Sequence, residues 1–158
     1  MQLTSLRDKY FPPELNKLAA HIALFRALPG SQLPRLTQDI ARLTQSQAPF
    51  SILASQAFRM RQGVGIHVKD DSGRLKSIYE ELKAQWSSFL SQQDRSFSPH
   101  YTIQNKVADD TKVDETLMEL TNQFHGSRGQ ALGLSLYRYD HGHWRKTKDF
   151  MFEKESSA

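Results

Sequence analysis

His21-Ile22-Ala23-Leu24 and His100-Tyr101-Thr102-Ile103 read as two copies of one pattern, a histidine followed two positions later by a small residue inside an apolar, β-prone run. Side chains alternate along an extended strand, so His21 with Ala23, and His100 with Thr102, take one face while Ile22, Leu24, Tyr101 and Ile103 take the other. Two such strands bordering one groove would turn two imidazoles toward each other.

Working outward from the first copy, Leu3, Leu6 and Tyr10 fall at helical spacing, and Phe11-Pro12-Pro13 breaks that helix ahead of a short turn carrying Leu15 and Leu18. The first histidine strand is expected over Ala20 to Leu28 and stops at Pro29-Gly30. Ser31 is placed to cap a helix whose apolar positions Leu33, Leu36, Ile40 and Leu43 repeat at three and four. Strands are expected from Phe50 to Met60 and through the alternating Val64, Ile66 and Val68, which ends at Lys69-Asp70-Asp71-Ser72-Gly73. Leu75, Ile78, Tyr79, Leu82, Trp86 and Phe89 form the apolar stripe of the clearest helix, with Asp71 or Ser72 as its cap.

Pro99 leads into the second histidine strand, His100 to Lys106. Thr111 with Asp114 reads as a capping box for a helix buried through Val113, Leu117, Leu120 and Phe124. Gly126 to Gly129 is expected as loop, Ala131 to Tyr139 as strand, Asp140 to His143 as turn and Trp144 to Phe152 as a last strand.

Both halves therefore run helix, histidine strand, helix, strand, hairpin, strand. The two histidines lie about 80 residues apart, and Phe50 and Val64 follow His21 at nearly the distances at which Ala131 and Trp144 follow His100. Matched spacing of this length points to an internal duplication. The fold expected is α+β and bilobal, within one domain spanning 1–158: a first lobe of about 1–70, a second of about 71–158, and two antiparallel sheets with outer helices around a central groove.

Composition bounds the function. The chain has 158 residues, 38% of them hydrophobic and 24% charged, and its longest apolar runs fall far short of the roughly 20 residues of a membrane span. Met1 to Arg7 has no apolar core of a secretory signal, so the cytoplasm is the expected compartment, with the nucleus also open. With no cysteine there is no disulfide framework and no thiolate metal site. The scattered histidines lack close ligand spacing, so neither a metal nor a cofactor is expected. A formal charge of +4 is compatible with nucleotides or RNA.

Two imidazoles at one groove are an acid–base pair near neutral pH. A phosphodiester suits them: one histidine takes a proton from water, the other gives one to the departing sugar oxygen, and hydroxyls two residues on hold the non-bridging oxygens. Thr102 can do this; Ala23 cannot.

The motif His-x-(Ser or Thr)-hydrophobic, once per half in a duplicated α+β layout, resembles the 2H phosphoesterase superfamily, with its 2′-5′ RNA ligase and cyclic phosphodiesterase branches. The stretch from His21 to Pro29 is especially similar to the strand and turn of that group. The resemblance covers nearly the whole chain in layout. It implies metal-independent hydrolysis of a 2′,3′-cyclic phosphate on an RNA end or a nucleotide, or 2′-5′ RNA joining; separately, a monomer without a membrane partner is expected. The resemblance makes His21 and His100 the acid–base pair and Thr102 a phosphate ligand. Ala23 departs from the motif, which opens a rival reading, a protein of this fold that binds RNA or a nucleotide without turnover. A domain of structural or interaction role is the third.

By strand phase Phe25 and Gln104 share the histidine face and are candidates to line the groove with Ala23. Phe25 would stack a base or form the groove floor. Tyr137, beside Gly133, Ser135 and Tyr139, is a further candidate. His67 is out of phase with Val64, Ile66 and Val68 and is expected on the other side of its sheet, away from the groove. His125 ends a helix, where a cation is welcome, and His141 and His143 sit in a turn.

Overall fold

The computed structural model describes residues 2–15 and 20–155. In chain order they form helix α1 (Gln2–Tyr10), helix α2 (Leu33–Gln45), strands β1 (Phe50–Met60) and β2 (Gly63–Lys69), helix α3 (Arg74–Trp86), strand β3 (His100–Gln104), helix α4 (Asp110–Gln123), and strands β4 (Ser127–Ala131), β5 (Gly133–Asp140) and β6 (His143–Met151), with short 3₁₀ turns between. The class is α+β with two antiparallel sheets, ordered β3-β2-β1-β4 and β5-β6. No helix among the described residues is long and apolar enough to cross a membrane.

Two compact units are built from alternating segments. The first takes Met1–Ala23, Leu53–Lys69 and Pro99–Gly129; the second takes Leu24–Ile52, Asp70–Ser98 and Gln130–Ala158. Residues 1–70 and 71–158 thus each contribute to both.

In the first unit one face of the larger sheet is the core face. Ala54, Val64, Ile66 and Ile103 pack there with Leu3 of α1 and with Val113, Leu120 and Phe124, and α1 lies on β3 while α4 lies on β2. In the second unit α2 packs against α3, β5 and β6. Trp86 and Tyr79 are almost fully buried, and each satisfies its polar atom. The Trp86 indole donates to the Asp39 carboxylate at 2.8 Å, and the Tyr79 hydroxyl donates to the Asp94 carbonyl at 2.6 Å.

Several local expectations are corrected. The strand expected from Ala20 to Leu28 is reduced to one antiparallel bridge, Ile22 with Tyr101. Beyond Ala23 the chain bends because Asp94, itself buried, takes the amides of Arg26 and Ala27 at 2.7 and 2.9 Å, so those donors are not free for a sheet ladder. The second histidine strand ends at Gln104, and Lys106 adopts a φ of 60°. The 126–129 loop already contains the start of β4. No Ser31 side-chain cap forms on α2. At α3 the expected Ser72 accepts from the Arg74 amide at 3.2 Å, and Asp70, not Asp71, joins it by accepting from the Leu75 amide at 2.7 Å behind the left-handed Gly73. At α4 the capping carboxylate is Asp109, accepting from the Thr111 amide at 2.9 Å. Leu18 of the expected turn lies outside the described residues. The Asp140–His143 turn forms as expected, with His141 and Gly142 both at positive φ, the geometry of a two-residue hairpin turn.

Gly63 opens β2 against the backbone of β3. A Cβ there would overlap the Gln104 carbonyl oxygen. Gly63→Ala is expected to destabilise the protein by at least about 2 kcal/mol, because only a backbone shift makes room. Urea unfolding measures this, and a change below about 0.5 kcal/mol, the range of a neutral surface substitution, would contradict the close approach.

Candidate active site

β3 is flanked on both sides. On one side β2 pairs with it, setting Gly65 beside Thr102, Ile66 beside Tyr101 and His67 beside His100. On the other side Ile22 bridges Tyr101 in the antiparallel sense, which sets His21 beside Thr102 and Ala23 beside His100. Residues directly opposite on paired strands share a face. Ile22, Tyr101 and Ile66 therefore share the core face, and burial pushes the Tyr101 phenol pKa up. His21, Ala23, Thr102, His100, Gly65 and His67 share the other face. Antiparallel neighbours lie about 5 Å apart and diagonal ones about 7–8 Å, so His21 and His100 stand diagonally on one face.

Phe58 completes this face. It pairs with Gly65, and a Cβ on Gly65 would meet the Phe58 ring at 2.7 Å, so the glycine leaves the space that the ring occupies. From there Phe58 stacks on the His67 imidazole, with centroids 3.9 Å apart and planes 15° from parallel, and it meets the His100 ring edge to face at 5.6 Å and 87°. His100, His67 and Thr102 are half-buried; His21 is exposed.

β3 is anchored from behind by Arg7, which the sequence reading passed over. Its guanidinium is buried, lies 4.1 Å from the Phe11 ring centroid and donates to the Thr102 carbonyl at 3.0 Å. Burial lowers its pKa from the ordinary arginine value, against the raising effect of Asp8. The signal was present in the spacing, because Arg7 falls one helical turn after Leu3 on the apolar side of α1.

The other expected site residues divide as follows. Ala23 lies on the histidine face beside His100. Phe25 does not; it belongs to the second unit, stacked on Tyr79 at 5.0 Å and edge-on to Trp86 at 5.2 Å, which is the packing role weighed for it. Gln104 is turned away from the histidine face. The register slips between Val64 and Gly65, leaving Ile103 as the extra residue of a bulge in β3, and the strand phase resets beyond it. Gln104 is buried and donates to the Thr116 hydroxyl of α4 at 2.9 Å. Tyr137 is half-buried in β5 of the second unit, with the Lys146 ammonium 6.0 Å from its ring centroid. His67, expected away from the site, shares its face, since the side opposite Val64, Ile66 and Val68 is the histidine side. His125, His141 and His143 are exposed, and His143 pairs with Asp140 at the β5–β6 turn. Among the described residues no group of three His, Cys, Asp or Glu side chains is arranged to hold a metal ion.

Chemically the face offers imidazoles that can exchange protons, a hydroxyl donor at Thr102, and an aromatic wall that keeps water from one flank.

Comparison with known proteins agrees with this architecture. Residues 1–143 match the family model of the 2′-5′ RNA ligase superfamily. No curated protein matches the chain. Among solved structures, TT0787 of Thermus thermophilus is similar in fold, with a TM-score of 0.63 and 15% sequence identity over 98% of this chain and 92% of that one.

Arg7 tests how β3 is held. Arg7→Met retains the apolar stem but removes the donor to the Thr102 carbonyl. A loss of about 1–3 kcal/mol is expected in thermal or urea unfolding, and an unchanged Tm would show that the contact does not secure the strand.

Proposed function

The chain belongs to the 2′-5′ RNA ligase superfamily, and on that premise we propose that it is a metal-independent phosphoesterase that opens a 2′,3′-cyclic phosphate on an RNA end or a nucleotide. His21 and His100 act as the acid–base pair. One imidazole takes a proton from water as the water oxygen bonds to phosphorus; the bond from phosphorus to one sugar oxygen breaks, and the other imidazole protonates that oxygen. The product is an acyclic phosphate monoester beside a free hydroxyl. The Thr102 hydroxyl donates to a non-bridging oxygen and stabilises the charge that gathers there. The setting proposed is cytoplasmic.

The observation that carries this reading is the Ile22–Tyr101 bridge, whose register gives the His21 and His100 positions a common face. A second reading, binding of RNA or a nucleotide without turnover, is favoured by Ala23, which has no hydroxyl to offer beside His100. Joining of RNA ends through a 2′-5′ bond is the same displacement with a 5′-hydroxyl in place of water: its oxygen gives up its proton and bonds to phosphorus, the bond from phosphorus to the 3′ oxygen breaks, and that oxygen is protonated.

The test is hydrolysis of 2′,3′-cyclic nucleotides and of a cyclic-phosphate-ended RNA in excess chelator. His21→Ala and His100→Ala are each expected to lower kcat by about 100- to 10,000-fold, the usual contribution of a positioned acid or base. Binding by the wild type without turnover would select the second reading, and neither binding nor turnover would overturn both. Ala23→Thr is expected to raise kcat; an unchanged or lower rate would contradict the placing of the first motif.

A further inference from the structure

We propose that His67 is a third phosphate ligand of this site, its imidazole holding a non-bridging oxygen of the substrate from the strand beside His100. The inference rests on the phosphoesterase reading above and adds a residue to it. His67 is the direct cross-strand partner of His100, so the two side chains rise from the same face about 5 Å apart. The row across the strands is Ala23, His100, His67. In that row the neighbour of His100 from the first motif carries a methyl group, and its neighbour from β2 carries a donor.

The ring is held for the task. Phe58 covers one of its faces at 3.9 Å, which fixes the imidazole plane while its nitrogen-bearing edge stays available. Among the described residues none exchanges a hydrogen bond with either ring nitrogen. The backbone is fixed from the opposite strand, where the register slips between Ala54 and Ala57, so a bulge in β1 faces His67. Within that bulge the Ser55 hydroxyl donates to the His67 carbonyl at 3.1 Å. Gly65 permits the whole arrangement, because any side chain there would displace the Phe58 ring. A half-buried imidazole in this position donates a hydrogen bond to an anionic oxygen whether it carries one ring proton or two.

The test separates a ligand from a packing ring. His67→Phe keeps a flat ring against Phe58 but has no N–H, whereas His67→Gln restores a donor and gives up the stack. On a 2′,3′-cyclic mononucleotide, His67→Phe is expected to lower kcat/KM by roughly 10- to 100-fold, the worth of a hydrogen bond to a charged group. Competitive inhibition by inorganic phosphate is expected to weaken by a similar factor at unchanged Tm, and His67→Gln to recover most of both. Wild-type kinetics and phosphate inhibition in His67→Phe, with the larger defect in His67→Gln, would overturn the assignment and make His67 a packing residue. If His67→Phe does not fold, His67→Leu against His67→Gln decides by the same measurements. Turnover abolished by His100→Ala but unmoved by His67→Phe overturns this inference alone. A wild type that neither turns over nor binds phosphate, by calorimetry, overturns the functional reading with it.

Discussion

The site depends on one backbone contact, the antiparallel bridge between Ile22 and Tyr101. Among the described residues the segment carrying His21 meets β3 through this bridge, and the pairing sets its register. Side-chain period on a strand is two, and a slip of one residue would turn His21 toward the core face and Ile22 outward. The apolar side chains enforce the register. Tyr101 packs against the core formed by Val64, Ile66 and Ile103 with the helices above it, and Ile22 shares that side. Burial thus selects one face for the hydrophobes and, by alternation, delivers His21, Thr102, His100 and His67 to the other.

The face so made is not symmetric. Thr102 has a hydroxyl beside His21, whereas the matching position beside His100 is Ala23. β2 lies on the side of β3 opposite the first motif. It brings a glycine, an imidazole and, through the space the glycine leaves, the Phe58 ring. Along β2 the core-facing Val64, Ile66 and Val68 hold the strand in the sheet, and Gly65 and His67 between them lie on the histidine face. Arg7 adds support from the far side through the Thr102 carbonyl, a placement that costs desolvation and therefore needs the hydrogen bond and the Phe11 ring to hold the charge.

Much of this was legible in local pattern. The alternation of Val64, Ile66 and Val68 gave β2, the stripe from Leu75 to Trp86 gave α3, and the run from Phe50 to Met60 matches β1. Legibility failed where a distant residue overrides a local preference. Nothing near Arg26 announces that Asp94 will take its amide and stop a strand. Nothing near Gln104 announces the bulge that turns it toward Thr116. Phe25 is apolar and in phase, yet Tyr79 and Trp86 draw it into other packing. His67 shows a different failure: its phase was read correctly, but which sheet face carries the chemistry follows only from strand pairing between β2 and β3.

The central claim is that His21, His100 and His67 answer to one phosphate. Imidazole ¹⁵N spectra of the full chain, assigned by single substitutions and followed through a titration with inorganic phosphate, address it most directly. The ring nitrogens of all three are expected to shift together with a common dissociation constant while His125 stays unmoved. Shifts confined to one ring, absent from all three, or shared equally by His125 would contradict it.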